Sequence, residues 1–363
     1  MCAYHIHVKR LIGIALLSSI PACANEGGPA TGEDAFLTEG AWSRQRMVAE
    51  APGRDAIDRE AIAVAVGGDG TVHRAYVGEG YELVHESRSR ASDRWERHVV
   101  DSGDVGEHAS MAVDASGTVH IAYYDDANTA VKYARGRGDS WDVATVDGAD
   151  RSVGGTTDIA VDASGRVHIC YEDFSSNQLG YATSGDGTTF EAGPLTAGGE
   201  ACSLAVANGH VYVTHYEYDA SQLHLATLAQ GAWAHEDVPG GGSFRSSAVV
   251  TRDGTLHIVI APRGSETIAH VQKRDGQWSE AAEIGPGYAS SLAVDEEGVM
   301  HLITVAWGRY LRYYQRGPEG WQSETVPHGS TLARMPELAV GDGAVHVAYR
   351  DNNFYDFYFL TRE

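Results

Sequence analysis

Short apolar runs alternate with polar, glycine-bearing turns along most of this chain, and the alternation itself repeats. Seven times an apolar run is followed by a Gly-bearing turn and then by Val-His or a close substitute: Gly70-Thr71-Val72-His73, Gly117-Thr118-Val119-His120, Gly165-Arg166-Val167-His168, Gly209-His210-Val211-Tyr212, Gly254-Thr255-Leu256-His257, Gly298-Val299-Met300-His301 and Gly343-Ala344-Val345-His346. The last residues of these phrases lie 47, 48, 44, 45, 44 and 45 positions apart. A period near 45 identifies one supersecondary unit copied in tandem.

The second copy shows what the unit is. Ser110-Met111-Ala112-Val113 predicts a strand, and Asp114-Ala115-Ser116-Gly117 a tight turn. Val119 to Tyr123 predicts a second strand, residues 125–128 a loop, and Val131 to Ala134 a third strand. A second turn then leads into a fourth strand opened by Trp141. Four short antiparallel strands make one propeller blade. The aromatic that opens the fourth strand recurs as Trp95, Phe190, Trp233, Trp278 and Trp321.

The ends complete the count. The chain stops after the third strand of the seventh copy, while Gly40 to Val48, with Trp42, reads as a fourth strand lacking its own blade. Pairing the two seals the ring and hides both edges. The fold expected is all-β: a seven-bladed β-propeller over residues 36–363, its last blade closed by the N-terminal strand.

What precedes it reads differently. His5, His7, Lys9 and Arg10 precede the apolar run Leu11 to Leu17, which is too short to span a bilayer and reads as an export signal. Ile20-Pro21-Ala22-Cys23 is similar to a bacterial lipobox, which implies a signal peptide over residues 1–22 and lipidation of Cys23. Ordinary signal cleavage near Ala22 or Ala24 is the alternative. Residues 23–35 read as a flexible tether. The expected address is the cell envelope, lipid-anchored, on the periplasmic or outer surface.

The net charge of −23 makes nucleic acid an unsuitable partner, and removal of residues 1–22 leaves 25 basic against 50 acidic residues. Export permits a disulfide between Cys170 and Cys202, which sit in consecutive repeats; two buried free thiols are the alternative.

Ser184-Gly185-Asp186-Gly187-Thr188-Thr189-Phe190 resembles an Asp box, placed in the turn before a fourth strand. With the blade pattern, it makes the chain resemble the bacterial-neuraminidase-repeat propellers of the sialidase-like superfamily. That resemblance implies the fold, and it implies a turn device rather than a catalytic site.

A histidine repeated in six blades, with Tyr212 in the seventh, is expected to pack between sheets and hydrogen-bond a neighbour. Equivalent positions around a ring do not converge as metal ligands must, and no cofactor is expected. Function is sought where the copies differ. Five residues past the histidine position stand Asp125, Asp173, Glu217 and Asp351, a possible acidic crescent at the mouth. Tyr216, Arg263, Trp307, Arg309 and Arg350 complete the candidate ligand-binding set, since an aromatic beside an arginine suits a sugar ring or a carboxylate. Turn-capping acids are the structural alternative. The expected function is non-catalytic binding of a glycan or protein ligand by a monomer. The alternative is a carbohydrate-active enzyme: Gly106-Glu107-His108 with Val119-His120 is similar to a fragment of the seven-bladed ulvan lyases, although Asp125 and Asp126 stand where those enzymes carry a second histidine.

Overall fold

The computed structural model describes residues 37–39, 41–48, 62–92, 94–148, 152–196, 198–241, 246–262, 264–306, 310–327, 333–351 and 356–363. The readings made on residues 1–35, Cys23 included, lie outside these, as do Arg263, Trp307 and Arg309. The propeller belongs to a compact unit, Ala35–Glu363.

Seven antiparallel sheets succeed one another in chain order, each built of four consecutive strands except in the fifth blade and where the termini meet. The second blade runs Val105–Val113, Val119–Asp125, Ala130–Arg137 and Ser140–Asp147, from the axis outward. Its second strand is buried at every residue, because neighbouring blades cover both faces of the sheet there. Half of its fourth strand is exposed and a single residue of it is buried.

Aromatic rings join each blade to the one before it. Trp141 meets His85 edge-on at 5.0 Å, Phe190 meets Tyr133 at 5.2 Å, and Trp233 meets Tyr181 at 5.0 Å. Trp321 meets His270 at 5.9 Å, Trp42 meets Tyr313 at 5.5 Å, and Trp95 meets Phe359 at 5.2 Å. At the remaining boundary Trp278 packs into the apolar cluster containing Leu225. The repeated aromatics are therefore inter-blade core.

The last sheet closes as the sequence predicts. Trp42–Val48 lies outside Asp356–Arg362, with Trp42 opposite Arg362 and Val48 opposite Phe357. A further strand, Leu37–Glu39, pairs outside Trp42–Val48, which the repeat pattern does not anticipate. The fifth blade also departs from the pattern. Its outer strand is split into Gln277–Trp278 and Ala282–Pro286, both paired with Thr267–Arg274.

The strands nearest the axis begin earlier than the apolar runs suggest. Register shifts interrupt them between Glu107 and Ser110, Val153 and Thr157, Glu200 and Ser203, and Arg334 and Glu337. His108, Ala201 and Met335 adopt φ of 52°, 52° and 50° at equivalent positions of these bulges. Left-handed backbone at non-glycine residues costs energy and gathers where a structure has re-aimed side chains. Here it recurs in the second, fourth and seventh blades, at residues that line the axial cavity.

Candidate functional site at the axial mouth

The repeated histidine proves to be one link of a buried relay. In the second blade the Asp114 carboxylate accepts the N–H groups of Ser116 at 2.8 Å and Thr118 at 2.9 Å, tying the turn. Its other oxygen lies 3.2 Å from His120 Nε2, and His120 Nδ1 lies 2.6 Å from the Tyr133 hydroxyl. An ionised carboxylate can only accept, so Nε2 carries the proton, Nδ1 accepts, and the tyrosine donates. Asp162, His168 and Tyr181 repeat the arrangement, as do Asp295, His301 and Tyr313. In two other blades the tyrosine is replaced by histidine: His73 Nδ1 lies 3.0 Å from His85 Nε2, and His257 Nδ1 lies 3.0 Å from His270 Nε2. Burial pushes His73 and His257 down to about 4 and His85 and His270 down to about 3. These histidines are neutral packing elements between sheets.

The Asp-box-like turn is likewise structural. Asp186 Oδ1 accepts from Thr188 N at 2.8 Å, Thr189 N at 2.9 Å and Ser184 Oγ at 3.0 Å. Those bonds, the Thr189 amide foremost, hold its carboxyl below the usual range.

The axis itself offers a cavity of about 340 Å³ whose wall includes residues from all seven blades. Ser110, Thr156, Thr157, Ser203, Ser247 and Ser291 contribute hydroxyls. Asp158 and Glu337 contribute carboxylates, and among the described residues no Lys or Arg lines it. Part of this polarity binds blade to blade. Asp158 accepts from Leu204 N at 2.6 Å, Ser203 from Ala248 N at 3.3 Å, Ser247 from Leu292 N at 2.9 Å, and Ser291 from Leu338 N at 3.1 Å. Ser291 in turn donates from Oγ to Glu337 at 3.2 Å. Burial pushes Asp158 up to about 6 despite the amides of Leu204 and Ile159. Thr156 Oγ1 is buried with no hydrogen-bond partner. Cys202 is on the wall and is disulfide-bonded to Cys170, with Cα atoms 6.4 Å apart, tying the third blade to the fourth.

The acids proposed as a crescent sit beneath the loops. Asp125 is 2% exposed and accepts from Asn128 N at 3.0 Å and Asn128 Nδ2 at 2.9 Å. Asp173, equally buried, accepts from Ser175 N at 2.9 Å and Ser175 Oγ at 2.5 Å. Arg350 and Asp351 are buried within the seventh blade, and Tyr216 is buried in the fourth. Glu217 is half-exposed, 3.2 Å from His224 Nε2. The structure thus spends Asp125 and Asp173 on their own turns, and of the described candidates only Glu217 is not buried.

One residue further on the picture reverses. Phe174 is 47% exposed and Tyr218 54%, at equivalent positions six past the repeated landmark in adjacent blades. The Phe174 ring lies directly over Gly155, where a Cβ would fall 1.9 Å from its Cζ, and Gly155 precedes Thr156 of the cavity wall. Tyr218 packs edge-on against Tyr216, 6.3 Å between centroids. Tyr216 is the cross-strand partner of Glu200, which precedes Ala201 of the wall. The same column of the sequence holds Arg263 and Trp307 in the next two blades. The charge pattern does not reveal Phe174 and Tyr218; their signal in the sequence is the column Phe174, Tyr218, Arg263 and Trp307 in four consecutive blades. Among the described residues no group of three or more His, Cys, Asp and Glu could hold a metal ion.

No protein-family model matches the chain. No curated protein matches it either. Solved structures do. Streptogramin B lyase superposes with a TM-score of 0.60 at 13% identity, covering 90% of this chain and 100% of that one. The lectin of Aleuria aurantia, described as a six-bladed β-propeller with a novel fucose recognition mode, gives 0.54 at 15% identity over 75% of this chain and 97% of its own. A protein of unknown function from Dyadobacter fermentans gives 0.53 at 11% identity, covering 89% and 100%. The likeness is one of propeller fold. At these identities no site residue carries over.

Proposed function

We propose that this propeller is a non-catalytic glycan receptor, exported and held at the cell envelope through Cys23, which takes its ligand at the axial mouth. The observation that carries the reading is a hydroxyl-lined cavity with two exposed rings, Phe174 over Gly155 and Tyr218 against Tyr216, on segments paired with those that lead into its wall. Sugars offer an apolar C–H face to an aromatic ring and hydroxyls to a polar wall. The fucose-specific lectin among the structural neighbours supports the choice of a glycan over a protein ligand.

An enzyme reading would need a reacting group that substrate can reach. The Asp–His–Tyr relays are the groupings closest in form to an acid–base device, and their histidines His120, His168 and His301 are 5%, 4% and 6% exposed. The test is a glycan array probed with the full propeller, followed by incubation of each hit at catalytic protein concentration. Saturable binding that is competed by free sugar, with no new reducing ends or unsaturated product, is expected. Product formed over many turnovers overturns the reading. Cys23→Ala is expected to release the protein from the membrane fraction; unchanged retention would remove the anchor from the account.

A further inference from the structure

We infer that the mouth takes an internal stretch of a glycan chain, at least three sugar units laid across the axis, and not a single terminal sugar. The inference rests on the glycan reading above and adds the length and course of the ligand to it. Its first support is where the exposed rings lie. Besides Phe174 and Tyr218, Tyr288 is 38% exposed; the other exposed large apolar side chains among the described residues are Val99 and Val143, both on outer strands. All three rings stand at one end of the blades. Phe174 follows Asp173 and Tyr218 follows Glu217, the last residues of the second strands of the third and fourth blades. Tyr288 donates its amide to the carbonyl of Val305, the last residue of the sixth blade's second strand, at 3.0 Å.

The second support is their spacing. Sheets packed face to face lie about 10 Å apart, and Phe174 and Tyr218, at equivalent positions of adjacent blades, are one such step from each other. A pyranose is about as wide as the aromatic ring it covers, so one sugar cannot lie on both. Tyr288 opens the sixth blade, three steps from the third in a ring of seven and so nearly opposite it. A chain that joins Phe174 to Tyr288 therefore passes over the axis. There it meets the cavity: Thr156 follows Gly155, on which the Phe174 ring rests, and Ser290 stands two residues past Tyr288, both in the wall. Thr156 Oγ1, buried without a partner, marks a polar contact that the folded chain leaves unmade. The central unit presents its hydroxyls to that wall while the units on either side stack on rings.

The probes are β-1,4-linked oligomers of glucose, mannose, galactose and N-acetylglucosamine, each from one to six units long. NMR titration of the full propeller near neutral pH reads their affinities. In a series that binds, affinity is expected to rise about tenfold from monomer to trimer, the effect of one added ring contact, and to level off once the chain reaches across the mouth. Tyr288→Ala is expected to flatten that rise to within about twofold, and Tyr288→Phe, which keeps the ring, to preserve it. Equal affinity from one unit to six, or a rise that survives Tyr288→Ala or vanishes in Tyr288→Phe, would overturn the inference. If monomers bind as tightly as longer chains and lose that binding in Phe174→Ala, the glycan reading survives that failure. If no oligomer of any series binds, both fall.

Discussion

His168 shows how one buried residue earns its place here. It is 4% exposed, and its two nitrogens reach Tyr181 at 2.6 Å and Asp162 at 3.4 Å. Burial lowers its pKa, and burial also pushes Tyr181 up to about 12, so the tyrosine keeps its proton and donates it. His168→Ala would leave that hydroxyl without its acceptor beside a new cavity, at a cost of about 2–4 kcal/mol. Denaturant midpoints check the figure. The double variant with Tyr181→Phe should be less unstable than the two single losses combined, because the phenylalanine leaves no donor stranded. The sequence made His168 legible as a structural residue because its position recurs. It did not reveal Tyr181 or Asp162 as partners, since those bonds cross strands that only the folded register brings together. The same limit governs the candidate site. Asp173 ends its strand and caps the turn that follows, whereas Phe174, the first residue of that turn, is exposed.

Among the elements, the closing strand and the disulfide bear the most testable load. Trp42 is 4% exposed, packs edge-on against Tyr313, and donates from Nε1 to Glu324 Oε1 at 2.7 Å. Trp42→Ala should therefore cost about 3–5 kcal/mol, like other large aromatic deletions from a core. Equilibrium unfolding measures it, and a loss below about 1 kcal/mol, typical of a surface change, would mean the strand does not seal the ring. Cys170 and Cys202 close a loop of 32 residues between two blades. Chain entropy assigns such a crosslink about 3–4 kcal/mol, so the Cys170→Ala, Cys202→Ala double variant should melt several degrees lower without changing fold. Circular dichroism reads both quantities. Strand order and closure were legible because a period near 45 leaves few arrangements open. The bulges at His108, Ala201 and Met335 were not, for left-handed backbone at ordinary residues is imposed by the ring and carries no composition of its own.

The whole molecule carries a pH signature that its parts share. Burial depresses His73, His215, His257 and His346 to about 4, and His85 and His270 to about 3. An unfolded histidine takes its proton near pH 6.5. Between 6.5 and 4 the unfolded chain therefore binds more protons than the folded one, and stability falls as pH falls. Asp158 opposes this, because its pKa is raised to about 6 and the folded chain protonates it first. Six histidines outweigh one aspartate. The denaturant midpoint, followed in 0.15 M salt to screen the surface charge, should be flat above pH 6.5 and drop steadily towards pH 4.5. A midpoint that held or rose over that range would refute the neutral buried state.

The central claim is that ligand is held on the axis, and a crystal structure of the propeller with its best array hit tests it most directly. The account predicts a sugar ring stacked on Phe174 or Tyr218 with its substituents in the seven-bladed cavity. Density for the sugar between outer strands, or beside the Asp186 turn with the axial mouth unoccupied, would contradict it.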